Sequence, residues 1–365
     1  MFFKFLKLVI LGIFLQFLFK VLLTLDLNKR VYNHRPGPCR EIKGPLHGSE
    51  DLEIIESKNI AFITSGLVWL PAKPESITWK GEVYKYDLSN RKYVAESVKI
   101  IGLEDVEGFH PHGISHFILD DGTIRLFLVS HTIDFKHSIV VLDYDEKKNL
   151  LLHVKTIKND KFVRLNDVAA TGPDSFFVSN DGGAQTGLGN MFEALSGFYA
   201  GSVVYYDGSA SSYLIQSACA NGISLSKDQK TLFVSHINQE DIGVYSWNKQ
   251  SKTIQQISLI PTLSGCDNFY IDGTNVWTGC HPVLKDASDH LSDFADPQYV
   301  APSQVLLAKF TDDFKSAKLV ELLADDGHFI SASSIAASFD SNKQLLIGTV
   351  ARKLYHCDIN VPIDF

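Results

Sequence analysis

One short pattern recurs six times past residue 50 and limits what this chain can fold into. Each copy is an apolar run that ends in a small hydroxyl or glycine residue, followed by a polar or glycine residue. The six copies are Phe62–Gly66, Phe127–His131, Phe177–Asn180, Phe233–His236, Trp277–His281 and Leu346–Thr349. Their spacing is close to, or somewhat above, the roughly 40–50-residue period of propeller blades. We therefore predict an all-β fold, a six-bladed β-propeller with a central tunnel, although a β-rich chain can also show such strand ends by chance.

Turn signals support the β interpretation. Asp-Gly pairs supply positive φ between antiparallel strands, and no long stretch past residue 50 keeps a helical period. The pairs are Asp121-Gly122, Asp207-Gly208, Asp272-Gly273 and Asp326-Gly327. We expect each of them in a turn of the propeller.

The segment from Gly187 to Ala200 is the exception to the β pattern. Apolar residues recur there at three-to-four spacing, which predicts a short helix. They are Leu188, Met191, Phe192, Leu195 and Phe198–Tyr199. Such a helix either packs on the propeller or forms an apolar lid over the central cavity.

The N-terminal segment Leu8 to Leu27 is almost wholly apolar and has about the 20 residues that a helix needs to cross a bilayer. No small-residue cleavage pattern follows it, so we expect an uncleaved signal anchor over residues 1–30 and a propeller domain over 31–365. Lys4 and Lys7 precede the segment, and Lys29, Arg30 and Arg35 follow it, so the positive-inside rule does not settle its orientation.

Charge and cysteine content bound the partners and the compartment. The net charge of -8 and the pI near 5.9, with no run of five or six like charges, argue against a nucleic-acid partner, which needs a basic face. Five cysteines leave at least one without an intramolecular partner. Cys39 and Cys357 lie near opposite ends of the globular part, where a bridge would tie the first strand to the last. Buried reduced thiols in a cytosolic protein are the alternative.

Oxygen-bearing side chains lie at the ends of several predicted strands. The segments are Glu50-Asp51, Asn166-Asp167, Asn221 and Asp267-Asn268. Calcium takes six to eight oxygen ligands in irregular geometry, and these residues could supply them. Their amide content and the absence of a Cys/His spacing pattern argue against zinc. Turn formation is the alternative role for scattered Asn and Asp.

Six ordered motifs give a more specific indication. They are Gly48–Glu53, Pro111–Ser115, Leu165–Asp167, Ala220–Ile223, Asp267–Asn268 and Gly279–Pro282. In this order the chain resembles the serum paraoxonase family, from about Cys39 to Cys357. The resemblance implies a calcium-dependent propeller that hydrolyses lactones and aryl esters.

The resemblance also implies residue roles, with two calcium ions. The implied ligands of a catalytic ion are Glu50, Asn166, Asn221, Asp267 and Asn268. Those of a structural ion are Asp51, Asp167 and the backbone carbonyl of Ile114. His112 and His131 correspond to a catalytic histidine dyad. Cys39 and Cys357 correspond to a disulfide, and Cys280 to a free cysteine.

The pocket wall departs from the family pattern at three positions. Cys219 stands where Phe is common, Trp69 where Tyr is usual, and Gly182 where His follows the aspartate. These changes leave substrate preference open. Cys266, next to Asp267, is either a spare thiol or a buried small residue.

Two functions follow from this pattern. The first is a membrane-anchored lactonase and arylesterase, with its propeller in the endoplasmic reticulum lumen or the extracellular space and a small-molecule lactone or ester as substrate. The second is an accessory protein or chaperone for degenerin-type sodium channels, because some paraoxonase-like membrane proteins have that role. We expect the hydrolase, because the implied ligand and histidine set is complete.

Overall fold

Six β-sheets, mostly antiparallel, are arranged around a central axis in this protein. The computed structural model describes residues 2–69, 77–198, 200–217, 219–294 and 296–363. Five sheets have four strands and one has five. The innermost strands contact one another in a closed ring, so the expected six-bladed propeller is confirmed.

The blades are numbered by the position of their innermost strand. Blade 1 is β2 (Leu52–Ile55), β3 (Ile60–Ser65), β4 (Glu82–Asp87) and β5 (Glu96–Ser97). Blade 2 is β7 (His110–Ile118), β8 (Ile124–His131), β9 (His137–Asp145) and β10 (Leu150–Ile157), with β6 (Lys99–Ile101) parallel to β10 at its outer edge. Blade 3 is β11 (Leu165–Ala170), β12 (Phe176–Asn180), β13 (Gly201–Tyr206) and β14 (Ser211–Ser217).

The second half repeats this order. Blade 4 is β15 (Ala220–Leu225), β16 (Thr231–His236), β17 (Asp241–Asn248) and β18 (Thr253–Pro261). Blade 5 is β19 (Gly265–Asp272), β20 (Asn275–His281), β21 (Ser303–Phe310) and β22 (Ala317–Asp325). Blade 6 is β23 (Ser333–Phe339), β24 (Gln344–Thr349), β25 (Leu354–Asp358) and β1 (Cys39–Ile42).

Blade 6 joins the two ends of the domain. The N-terminal strand β1 pairs with the C-terminal strand β25, and Cys39 stands opposite Cys357 in that register. The two cysteines form a disulfide with a Cα separation of 3.9 Å. Because the bridge fixes the strand pair that closes the ring, it opposes separation of the first and last strands of the propeller.

The recurring sequence pattern is the second strand of every blade. These strands are buried on both faces, since alternate residues pack against the two neighbouring blades. In β12, for example, Phe176 packs in the apolar cluster shared with blade 2, and Phe177 in the cluster shared with blade 4. A strand enclosed in this way needs apolar side chains at every position, which explains why the pattern is continuous.

Three of the four Asp-Gly pairs lie in hairpins, as expected. Gly122, Gly208 and Gly273 have positive φ between consecutive antiparallel strands. Gly327 also has positive φ (94°), but its turn lies between β22 and β23, strands of different blades. Local turn chemistry identified this turn, but it cannot tell whether the two flanking strands share a sheet.

Three α-helices accompany the blades in the described ranges: α1 (Phe2–Thr24), α2 (Gly187–Ser196) and α3 (Leu284–Ser292). By length and apolar composition α1 could cross a bilayer, and a signal sequence would meet the same criterion. It ends three residues before the expected Leu27, and Asp26 follows with φ 58°. The Asp26 carboxylate then accepts a hydrogen bond from the backbone N–H of Leu284 at the start of α3 (2.9 Å).

The expected short helix is α2, in the connection between β12 and β13. It ends at Ser196, before Ala200, and Tyr199 lies outside the described residues. None of its residues is buried, and Leu188, Met191 and Phe192 are exposed. The ammonium group of Lys20 in α1 donates to the carbonyl of Ser196 (2.8 Å), where a cation complements the helix C-terminus. The helix thus packs beside α1 with its apolar side chains uncovered. The other short helix, α3, was missed by the sequence analysis.

Candidate metal centre

The innermost strands share one irregularity at one level of the axis. Five of them carry a β-bulge near their N-terminal end. The shifts lie between Pro111 and Ile114, Leu165 and Val168, Ala220 and Ile223, Cys266 and Phe269, and Ser333 and Ile335. A bulge leaves residues out of the ladder and changes the direction of their side chains. Every sequence-predicted ligand lies in a bulge, at its edge, or directly before β2.

Glycine lets these bulges approach one another. A Cβ on Gly113 would lie 2.2 Å from Oδ1 of Asp167, and a Cβ on Gly222 would lie 2.2 Å from the carbonyl oxygen of Asp267. No side chain fits at such distances. Glycines of the His112-Gly113 and Asn221-Gly222 pairs therefore allow blades 2 and 3, and blades 4 and 5, to meet closely around the axis.

Hydrogen bonds connect the bulges into one assembly. The Asp167 carboxylate accepts from the backbone N–H of Ile223 (2.7 Å), which joins blades 3 and 4. The Asn268 amide donates to Oε1 of Glu50 (2.7 Å), which joins blades 5 and 1. The Ser334 hydroxyl of blade 6 donates to the Glu50 carbonyl (2.6 Å). The structure thus brings together side chains that lie more than 200 residues apart in sequence.

Five oxygens in this assembly are buried and have no hydrogen-bond partner among the described residues. They are Oε2 of Glu50, Oδ1 of Asn166, Oδ1 of Asn221, Oδ1 of Asp267 and Oδ1 of Asn268. An unpartnered buried oxygen is costly, and each one in a native protein needs an explanation. Two carboxylates and three amides form a donor set of the kind calcium prefers, so the residues fit that ion. In the same part of the chain, no group of three or more His, Cys, Asp or Glu side chains is placed to hold a metal.

The buried carboxylates of Glu50 and Asp267 repel each other. Burial raises the pKa of Asp267 to about 6, and the charge of Glu50 adds to this rise. His281 opposes it, since its Nε2 lies 3.0 Å from Oδ2 of Asp267. A cation among these oxygens would remove the repulsion between the two carboxylates.

The second predicted ligand set also lies near the central axis, but backbone N–H groups donate to its carboxylates. Asp51 accepts from the backbone N–H groups of Leu52 and Ile114, both at 2.8 Å. The two oxygens of Asp167 accept from backbone amides at 2.7 Å. Burial raises the pKa of both carboxyls well above the usual range, and Glu50 adds to the rise in each. The structural ion, with the carbonyl of Ile114 as a ligand, stays a prediction.

The two predicted histidines are in contact. Nδ1 of His112 lies 2.9 Å from Nε2 of His131, and Nε2 of His112 lies 3.6 Å from Oε1 of Glu50. Burial opposes ionisation of His112, but the nearby Glu50 carboxylate outweighs it and raises the pKa of the imidazole. Burial and then the charge of His112 lower the pKa of His131 well below its usual value. Of this pair, His112 is the better proton acceptor.

The pocket wall contains a buried arginine. Arg164 is 5% exposed, pairs with Asp181, and lies 3.2 Å from Oε2 of Glu193 in α2. A Cβ on Gly182 would lie 1.9 Å from its Nη2, so a larger residue at 182 would need the guanidinium group to shift. Burial raises the pKa of the neighbouring Cys219 thiol, the free cysteine among the described residues.

Trp69 belongs to an aromatic cluster above the ring. Its ring centroid lies 6.1 Å from that of Trp79 and 5.4 Å from that of Phe294. Its indole N–H donates to the carbonyl of Leu291 in α3 (3.0 Å). The large side chain at this position is therefore held by packing and by a hydrogen bond.

The expectations for two cysteines were wrong. Cys266 and Cys280 stand opposite each other in the β19–β20 ladder and form a disulfide, with a Cα separation of 3.9 Å. Cys280 is thus not the free cysteine, and Cys266 is neither a spare thiol nor a small apolar filler. The free-cysteine role implied by resemblance did not transfer because this chain has a second cysteine directly opposite.

Four residues of the site have no role in the sequence analysis: His137, His281, Ser334 and Arg164. His137 and His281 contact predicted site residues, and Ser334 fixes the backbone of Glu50. The contact of His137 with His131 depends on the register of the β8–β9 hairpin. Its ladder places His137 opposite His131.

The sequence of this chain is similar to those of several known proteins. Residues 30–359 match the sequence model of a family described as Arylesterase. The chain is 32% identical over 329 residues to serum paraoxonase/arylesterase 2 of Gallus gallus, covering 88% of both chains. It is 29% identical over 355 residues to mechanosensory abnormality protein 6 of Caenorhabditis elegans, covering 94% of this chain and 92% of that protein.

Solved structures support the fold. A luciferin-regenerating enzyme superimposes with a TM-score of 0.53 at 12% identity, covering 90% of this chain and 100% of that one. At this identity the likeness extends to the fold alone.

Proposed function

Because this chain belongs to the arylesterase family, we propose that it is a calcium-dependent hydrolase of lactones and aryl esters. The observation that carries the proposal is the set of five unpartnered buried oxygens on Glu50, Asn166, Asn221, Asp267 and Asn268. The family relatives support ester hydrolysis, and the donor set supports calcium as the ion.

The chain's own residues have distinct tasks in this reaction. A calcium ion bound by the five oxygens would supply positive charge that stabilises the negative charge developing on the carbonyl oxygen of the ester. His112 is placed to take the proton of the attacking water at Nε2, because its Nδ1 faces His131 and its Nε2 faces Glu50. His131 holds the His112 ring in this orientation.

Hydrogen bonds from neighbouring residues position the proposed ligands Asp267 and Glu50. His281 holds one oxygen of Asp267, and Asn268 and Ser334 hold the side chain and the backbone of Glu50. Such partners fix the direction of a ligand and tune its affinity for a metal. The half-buried aromatic groups around Trp69 would limit the access of water to an ester or lactone of small size.

We further propose that the protein is anchored by α1, with the propeller in the endoplasmic reticulum lumen or outside the cell. The two disulfides support an oxidising compartment, and the apolar length of α1 supports a membrane span. The catalytic calcium and the structural calcium together make two ions per chain in this proposal.

The first test is hydrolysis by the full-length protein in detergent. We expect turnover of aliphatic lactones or phenyl acetate in millimolar calcium, loss of that turnover with EDTA, and its return when calcium is added back. Absence of turnover with both substrate classes in millimolar calcium would contradict the proposal.

A second candidate function is an accessory or chaperone role for degenerin-type sodium channels. The match to mechanosensory abnormality protein 6 extends over 94% of this chain, more than the 88% shared with the Gallus gallus relative. Co-expression with such a channel separates the two functions. If the natural protein and the Asp267→Ala variant increase the channel current equally, the accessory role is favoured. If neither protein changes the current, the accessory role is contradicted.

A further inference from the structure

The second disulfide lies beside the bulge that carries two of the proposed calcium ligands. Cys266 and Cys280 are the last opposite pair of β19 and β20 before the register shifts, and Asp267 and Asn268 occupy the shift. In the other four bulged blades the corresponding pair is not covalent. These pairs are Pro111–Ser130, Leu165–Asn180, Ala220–His236 and Ser333–Thr349. Among the five described bulges, that of blade 5 thus has a covalent cross-link next to its ligands.

The disulfide connects a proposed ligand to the residue that holds it. Asp267 follows Cys266 along β19, and His281 follows Cys280 along β20. Nε2 of His281 lies 3.0 Å from Oδ2 of Asp267. Two peptide bonds, one disulfide and one hydrogen bond therefore close a small ring through these four residues. A ring of this kind limits how far the Asp267 carboxylate can turn.

Residues of blades 4 and 6 hold the backbone of both cysteines. The Ser235 hydroxyl of blade 4 donates to the carbonyl of Cys266, and the Ser333 hydroxyl of blade 6 donates to the carbonyl of Cys280 (3.1 Å). Both cysteines are at most 1% exposed and pack against Leu306 of β21. The disulfide is thus fixed on both sides, and it fixes the ligand that follows it in the chain.

Electrostatics favours movement of Asp267 away from the other ligands. Its Oδ1 is buried without a hydrogen-bond partner among the described residues, and the Glu50 carboxylate repels it. In a loop that is free to move, the side chain would turn towards water and away from Glu50. Calcium binding would then include the cost of reordering the loop, whereas a loop held in its bound conformation avoids that cost.

Resting on the calcium-dependent function proposed above, we propose that the Cys266–Cys280 disulfide positions Asp267 and Asn268 for calcium. It keeps these two ligands of blade 5 in their binding arrangement, and it thereby raises the affinity of the site for the ion. Neither sulfur contacts the ion or the substrate, so the two cysteines are positioning residues.

Thermodynamic linkage gives the disulfide a second measurable property. If the disulfide raises calcium affinity, bound calcium stabilises the disulfide against reduction by the same factor. A dithiol such as dithiothreitol reduces it in two steps. One thiolate attacks a cysteine sulfur and breaks the S–S bond, and the second thiol then releases the mixed disulfide. Two electrons and two protons pass to the cysteines, and the dithiol becomes a cyclic disulfide.

Matched removal of the two disulfides tests the positioning role. The Cys266→Ala/Cys280→Ala variant should bind calcium at least about 10-fold more weakly, the lower end of the effect of an outer partner. Cys266→Val/Cys280→Ala returns volume without the bond and should be equally weak. The control, Cys39→Ala/Cys357→Ala, should melt at a lower temperature but lose less than about 3-fold in affinity, as expected for a distant site. Calorimetric calcium titration of the full-length protein in detergent measures the affinity that Asp267→Ala lowers.

The natural protein supplies a test that does not depend on the folding of these variants. At equilibrium with dithiothreitol, saturating calcium should lower the equilibrium constant for reduction of Cys266–Cys280 by the same factor, at least about 10-fold. That of Cys39–Cys357 should change by less than about 3-fold. Alkylation of the free thiols followed by peptide mass spectrometry measures both.

Several results would overturn the positioning role while the natural protein still binds calcium. They are a folded variant without the Cys266–Cys280 bond that keeps the natural affinity, equal losses of affinity on removal of either disulfide, and a calcium effect on reduction that is absent or equal for the two disulfides. A natural protein that binds no calcium would contradict the proposed function and the positioning role together.

Discussion

The two ends of the central axis carry similar side chains but satisfy them differently. At the near end, where the inner strands begin, five buried oxygens have no protein partner in the described ranges. At the far end, where the same strands finish, a cavity of about 350 Å³ is lined by apolar side chains and also by charged and hydroxyl groups. These groups are paired with one another: Glu53 with His116 at 3.1 Å, and Glu56 with Lys227 and Tyr270, each at 2.8 Å.

This difference indicates which end of the axis has polar groups that a bound cation would satisfy. The far end has a cavity, yet its carboxylates Glu53 and Glu56 are already paired with protein groups. The near end is tightly packed, and its carboxylates Glu50 and Asp267 repel each other in a buried site. A polar group that is buried without a partner is costly. The unsatisfied oxygens are therefore the reason to propose the cation site at the near end and not in the far-end cavity.

The largest difference between the two ends is expected when their carboxylates are substituted. Asp267→Ala removes one of two charges from the near-end donor set, so calcium affinity should fall at least about 100-fold, beyond the 10–100-fold typical of an outer partner. Hydrolysis should be lost with it. Glu53→Gln, at the far end, should change the affinity by less than about 3-fold, because Glu53 belongs to no proposed ion site. Calorimetric calcium titration measures both, and equal losses would contradict the assignment.

The next largest difference is expected at the histidines, because each end of the axis has a histidine beside a glutamate. His112 lies 3.6 Å from Glu50, and His116 lies 3.1 Å from Glu53. His112→Gln should lower kcat by about 100-fold, the scale of a lost general base, and leave calcium affinity unchanged. His116→Gln should keep the rate. A His112→Gln variant at full rate would remove this residue from the mechanism.

The fold was predictable because the propeller imposes the same demand on each blade. The second strand of each blade packs on both faces, so an unbroken apolar run recurs there and is visible without alignment. The helix α1 was predictable from apolar length. In contrast, α3 is short and polar on one side, and neither its start at Leu284 nor its contact with Asp26 has a local signal.

The candidate site was only partly predictable. Resemblance named the residues that the bulges gather, but contacts across a ladder depend on register, which the sequence does not give. His137 lies six residues from His131 and opposite it, and Cys280 lies fourteen residues from Cys266 and opposite it. Without the register, the third histidine was not recognised, and the second disulfide was taken for two separate cysteines.

Calcium-edge anomalous diffraction from crystals grown with calcium tests the central claim most directly. We expect a peak at the near end, within about 2.3–2.6 Å of oxygens from Glu50, Asn166, Asn221, Asp267 and Asn268. Crystals that diffract well and show no peak among these oxygens, or a peak only in the far-end cavity beside Glu53 and Glu56, would contradict it.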